Sequence, residues 1–202
     1  MVRRHAPYVL AAVLLGVLAE VAVSGPTTRI WTTVGTPWLL LAFAGGRRTA
    51  GALGAAAYGA GLVLLGFVTY YAWLLLVTGL PWESVRHHHH IFGWLVVGAV
   101  AGAVCGLVGV LSRDPRSAVR TAAWAFVVAI PLVDLVVWVR AAREGRLLVV
   151  LGLAAIAVAL FVWALRAGRV AAGVLVPVTV LATVLLWEAQ LFVLRAIFGA
   201  RV

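Results

Sequence analysis

Residues 70–94 read YYAWLLLVTGLPWESVRHHHHIFGW. This stretch gathers a proline, a glutamate, an arginine and the four consecutive histidines His87, His88, His89 and His90 between Trp73, Trp82 and Trp94. Long apolar runs precede and follow it. A polar segment bracketed by aromatic rings between two such runs reads as a loop outside the hydrocarbon, with the rings at the water interface. Every other segment can be placed relative to this loop.

Of the 202 residues, 65% are hydrophobic and 11% charged, and the mean hydropathy is +1.13. A soluble domain is roughly half apolar and a quarter charged. No soluble packing hides this much apolar surface, so the solvent must be lipid. The expected fold is an all-α integral membrane bundle of six or seven transmembrane helices, forming one domain over residues 1–202.

The formal net charge is +10, from sixteen arginines, no lysine and six acids. The arginines stand in short clusters between apolar runs, where they anchor helix ends against phospholipid headgroups. No basic surface is broad enough to follow a nucleic-acid backbone, so the bilayer is the expected partner and nucleic acid is not. Cys105 is the single cysteine, which excludes an intramolecular disulfide and a cysteine metal cage. The bias to Arg, Ala, Val, Leu and Gly without Lys points to a GC-rich bacterial genome and hence to a bacterial plasma membrane.

About 20 apolar residues are needed to cross the hydrocarbon. Residues 7–24 make a first span carrying Glu20. Its arginine-led start and Ala22-Val23-Ser24 end imitate a secretory signal, but further spans follow at once, and an uncleaved helix is the better reading. Residues 30–46 are apolar but short, with an internal Pro37; they cross at a tilt or dip in and return. Residues 50–80 form one long run, and residues 91–111, 117–139, 147–165 and 170–194 complete the set. With seven spans, one side holds Arg3, Arg4, Arg47, Arg48, Arg113, Arg116, Arg120, Arg166 and Arg169. The other holds Arg29, Arg86, Arg140, Arg143, Arg146, Arg195 and Arg201. Nine against seven favours a cytoplasmic N-terminus and an external histidine loop.

Gly98, Gly102 and Gly106 lie four apart on one helix face, as do Gly51, Ala55 and Gly59, so another backbone can approach closely. Packing within the chain and association with a partner or a second copy both use such a face.

Ionisable groups inside a span are costly and therefore candidate functional groups. Asp134 and Glu188 both fall in the membrane half that borders the histidine loop. Together with Gln190, Tyr70 and Tyr71 they could face one partly wet cavity and bind a ligand there. The alternative is that each acid pairs with an interfacial arginine, Asp134 with the Arg140 cluster and Glu188 with Arg195. Pro131 kinks its helix three residues before Asp134, an arrangement found at transporter sites. The run His87–His90 invites a metal reading, but consecutive helical positions point about a hundred degrees apart, and tight sites space their ligands. No Ser-His-Asp spacing, phosphate loop or dinucleotide fingerprint occurs, and no cofactor is expected.

The segments TPWLLLAFAGGRRTAGALGAAAYG, beginning at Thr36, and GFVTYYAW, beginning at Gly66, resemble a family of small multi-spanning actinobacterial membrane proteins. That family is a domain of unknown function, so the resemblance implies a membrane fold and no activity. Ala11, Ala12, Ala19 and Ala22 more loosely resemble the small-residue face of the substrate-binding subunits of energy-coupling-factor transporters. No binding residue carries over from either. Three functions follow from the residues: a non-enzymatic small-molecule binding or transport component, a scaffold subunit held through Gly98, Gly102 and Gly106, and an intramembrane enzyme using Asp134 or Glu188 with a histidine.

Overall fold

A computed structural model describes residues 2–23, 35–84, 91–140, 146–166 and 170–198. These fold into seven principal helices in chain order: α1 (Val2–Val23), α2 (Thr36–Gly46), α3 (Ala52–Leu76), α4 (Ile91–Leu111), α5 (Ser117–Arg140), α6 (Arg146–Arg166) and α7 (Ala172–Phe198). No strand occurs among the described residues. Five helices, α3 to α7, are long and apolar enough to cross a membrane. The chain is an all-helical membrane protein.

Two expected spans change their bounds. Among the described residues, the short second segment is helical over the eleven residues of α2, fewer than a crossing needs; residues 24–34 lie outside the described residues. The long run 50–80 stops being helix at Leu76. Residues 77–80 turn away, with Gly79 at φ 69°, a left-handed conformation open to a residue without a Cβ.

Small residues set the tightest packing. α3 and α4 cross where Gly59, Gly102 and Gly106 meet. A Cβ on Gly102 would stand 2.7 Å from the Gly59 carbonyl oxygen, and one on Gly106 would strike the Ala55 carbonyl. α2 joins the same contact, since a Cβ on Gly46 would strike Gly106 and one on Gly109 would strike the Phe43 carbonyl. Three backbones therefore meet with no side chain between them, gaining dispersion contacts that lipid cannot supply.

α2 occupies the middle of the bundle, against α1, α3, α4 and α5, while α6 and α7 pack on α5. Its Trp38, Ala42 and Phe43 share one core cluster with Val63 of α3, Cys105 of α4, Trp124 of α5, Leu160 of α6 and Leu175 of α7. A helix that ends inside the membrane leaves backbone groups that hydrocarbon cannot satisfy. Protein encloses α2 on these sides and keeps its backbone groups away from hydrocarbon.

Candidate functional site

α2 begins where sequence signals place a start. Gly35 precedes it, Pro37 sits in the first turn and the helix runs into apolar residues. Pro37 removes one backbone N–H that would otherwise need a partner. Gly35 has no side chain with which to cap the remaining donors, and no local side-chain cap is made. At a rise of 1.5 Å per residue, α2 is about 16 Å long. Its C-terminal end lies at the Arg47–Arg48 turn, so its N-terminal end stands about 16 Å along the helix axis from that turn.

The missing cap comes from α5. Asp134 Oδ2 accepts a hydrogen bond from the Thr36 backbone N–H at 2.8 Å and another from the Thr36 hydroxyl at 2.6 Å, across 98 residues of sequence. The Gly35 backbone N–H also interacts with this carboxylate. Thr36 is fully buried and Asp134 half-buried. The carboxylate faces the positive end of the α2 dipole and its unsatisfied donors, so two costly features of the membrane interior offset each other. Pro131, one turn before Asp134, is fully buried within the same continuous α5.

The other expected site residues are dispersed. Glu188 is exposed on α7, and Gln190 is half-buried there. The acids do not share one pocket: Asp134 is turned inward to α2, whereas Glu188 points out of the bundle. The physical reason is helix register, since α7 turns most of its length outward. Tyr70 and Tyr71 form a T-shaped pair with centroids 5.0 Å apart, and Tyr71 packs with Leu74 and Ile91 between α3 and α4. Gly98, Gly102 and Gly106 all face α3, so of the two uses expected of this face the structure shows packing within the chain. His87, His88, His89 and His90 lie outside the described residues, as does the side chain of Glu20. Among the described residues, no group of three His, Cys, Asp or Glu side chains is placed to hold a metal ion.

Two features escaped the sequence reading. One is Thr36, whose signal was a threonine before a proline at a helix start that lacks a local cap. The other is an aromatic enclosure around Arg47. The Arg47 guanidinium lies 5.1 Å from the Trp124 ring centroid, 5.2 Å from Trp163 and 5.8 Å from Phe43. Trp124 meets Phe43 and Trp163 edge-on. Phe43 precedes Arg47 by one helical turn, but the two tryptophans come from α5 and α6, and no sequence pattern joins them. Burial in this enclosure, with the charges of Arg113 and Arg48 nearby, holds the Arg47 pKa below the ordinary arginine value.

A scan against family models, a search of curated proteins and a search of solved structures each found no match.

Proposed function

We propose that this membrane protein is a non-enzymatic small-molecule binding or transport component of a bacterial plasma membrane, with its ligand site at the N-terminal end of α2 beside Asp134. One observation carries the reading: inside the bundle, the Asp134 carboxylate meets the N-terminus of an eleven-residue apolar helix. Discontinuous helices at mid-membrane are a recurrent way to build solute sites, because the broken end supplies directed polar groups where lipid supplies none. Asp134 Oδ2 is engaged by Thr36. The Gly35 backbone N–H also interacts with the carboxylate, and the acceptor capacity left over is what an ammonium or hydroxyl group of a ligand would use. The packed side of α2 holds the site rigid, as a binding site requires. Of the histidines that an acid–base alternative would use, His87–His90 lie outside the described residues, and His5 packs on Tyr58.

Orientation follows from charge. Arg47, Arg48, Arg113, Arg116, Arg120 and Arg166 belong to one end of the bundle, the end at which α1 begins. With nine arginines against seven at the other end, the positive-inside rule favours a cytoplasmic position for it.

The test is native mass spectrometry from mild detergent on wild type, Asp134→Asn and a variant with His87–His90 all changed to alanine. The expected result is a non-lipid adduct on wild type that Asp134→Asn abolishes. An adduct-free or lipid-only spectrum from all three, or a non-lipid adduct that survives Asp134→Asn, would overturn the proposal.

A further inference from the structure

A shallow groove of about 790 Å³ runs between α1 and α3 at the arginine-rich end of the bundle. Val9, Leu10 and Val13 form its wall on α1, and Gly54 lies across from them on α3. A Cβ built on Gly54 meets nothing within 4 Å, so the groove is open there. Val9 and Leu10 are exposed, which turns the wall outward to the hydrocarbon. His5 and Thr49 mark the polar mouth.

Two arginines are fixed at that mouth by neighbours of these same residues. Arg48 Nε donates to the Tyr8 hydroxyl of α1 at 3.3 Å. Arg113 Nη2 donates to the carbonyl oxygen of Thr49 at 2.7 Å. Neither acceptor carries a charge, and each guanidinium has further N–H donors to offer. Arg120 gives Nη1 to the carbonyls of Asp114 and Pro115, while its Nε is buried without a partner. Asp114, the nearest carboxylate in sequence, accepts from the backbone N–H of Arg116. Arg47 is held inside its aromatic enclosure, close enough to Arg48 and Arg113 for their charges to repel. Like charges gathered at a low-dielectric boundary call for an anion.

We propose that this end of the bundle binds one anionic phospholipid, with its phosphate on Arg48 and Arg113 and an acyl chain along the groove between α1 and α3. The charge selects a phosphate. The apolar groove that leads away from it selects an amphiphile over a free ion. Arg48 and Arg113 come from different turns of the chain, so the lipid ties α1, the α2–α3 turn and the end of α4 together.

The experiment is native mass spectrometry of the full chain titrated with dioleoyl phosphatidylglycerol, dioleoyl phosphatidylcholine or inorganic phosphate. Wild type is expected to retain one phosphatidylglycerol and to bind it more tightly than phosphatidylcholine. Arg48→Gln and Arg113→Gln each weaken that adduct about fivefold, the scale of one arginine at a charged membrane surface. Gly54→Leu fills the groove without touching a charge and also weakens the adduct, whereas Gly173→Leu, equally bulky and in open space on α7, leaves it unchanged. Equal affinity for the two lipids would overturn the proposal. So would indifference of the phosphatidylglycerol adduct to Gly54→Leu and to both arginine changes. Binding of inorganic phosphate that Gly54→Leu leaves intact, with no preference for the lipid, would replace the lipid by a free anion.

Discussion

The contact between Thr36 and Asp134 can be measured directly by a double-mutant cycle. Thr36→Val keeps the side-chain shape and removes one hydrogen bond, the 2.6 Å bond from the hydroxyl. Asp134→Ala removes that bond and also the acceptor for the Thr36 backbone N–H at 2.8 Å. A buried hydrogen bond contributes about 1 kcal/mol when both groups are neutral and about 1.5–3 kcal/mol when one is charged. Loss of a helix cap adds about 1 kcal/mol. Thr36→Val should therefore cost about 1–3 kcal/mol and Asp134→Ala about 2–4 kcal/mol. Once Asp134 is gone the hydroxyl has no partner to lose, so the double variant should be more stable than the sum of the singles implies, by about 1 kcal/mol or more. The reporter is built into the chain: Cys105 is the single cysteine and only 2% exposed, so a maleimide dye labels it as the bundle opens. Labelling in micelles through a denaturant series gives the four stabilities. Additive costs, within the roughly 0.5 kcal/mol expected of independent sites, would refute the reasoning.

Two further substitutions probe the packing, read by the same labelling. Gly102→Leu places a side chain against the Gly59 carbonyl and should cost about 3 kcal/mol or more; Gly173→Leu, in open space, should stay within about 0.5 kcal/mol of wild type. A Gly102→Leu protein as stable as wild type would overturn the close crossing of α3 and α4. Arg47→Gln removes the guanidinium from between Trp124, Trp163 and Phe43 and should cost about 1–2 kcal/mol while altering tryptophan fluorescence. Unchanged stability and emission would show that the enclosure contributes nothing.

What the sequence made legible was local in the chain. Apolar runs long enough to cross a bilayer announced α3 to α7, because hydrophobic length and the thickness of hydrocarbon are directly comparable. The short second segment was visible as an anomaly, through its length and Pro37, but the partner of its N-terminal end was not. The carboxylate that receives that end stands 98 residues away. Asp134 stood out because an acid within a span is costly. Its orientation toward Thr36, and that of Glu188 away from the bundle, follow from rotation of each helix about its axis, which a uniformly apolar helix hardly encodes. The glycines at 98, 102 and 106 declared a close approach and left its occupant open; α3 is the occupant. The aromatic enclosure of Arg47 draws on α2, α5 and α6, and only tertiary packing assembles it.

The short helix at the centre of the bundle also constrains the order in which the protein is made. A segment of eleven helical residues has no stable position of its own in lipid, so it cannot settle when it leaves the ribosome. Its carboxylate partner is synthesised 98 residues later, on a helix that begins only after α3 and α4 have been made. At about 5–20 residues per second that is a wait of about 5–20 s. During that interval the N-terminal end of α2 lacks the carboxylate that receives it. Completion of α5 is then the event that closes the centre, and a chain truncated before residue 134 would be inserted without acquiring its native interior.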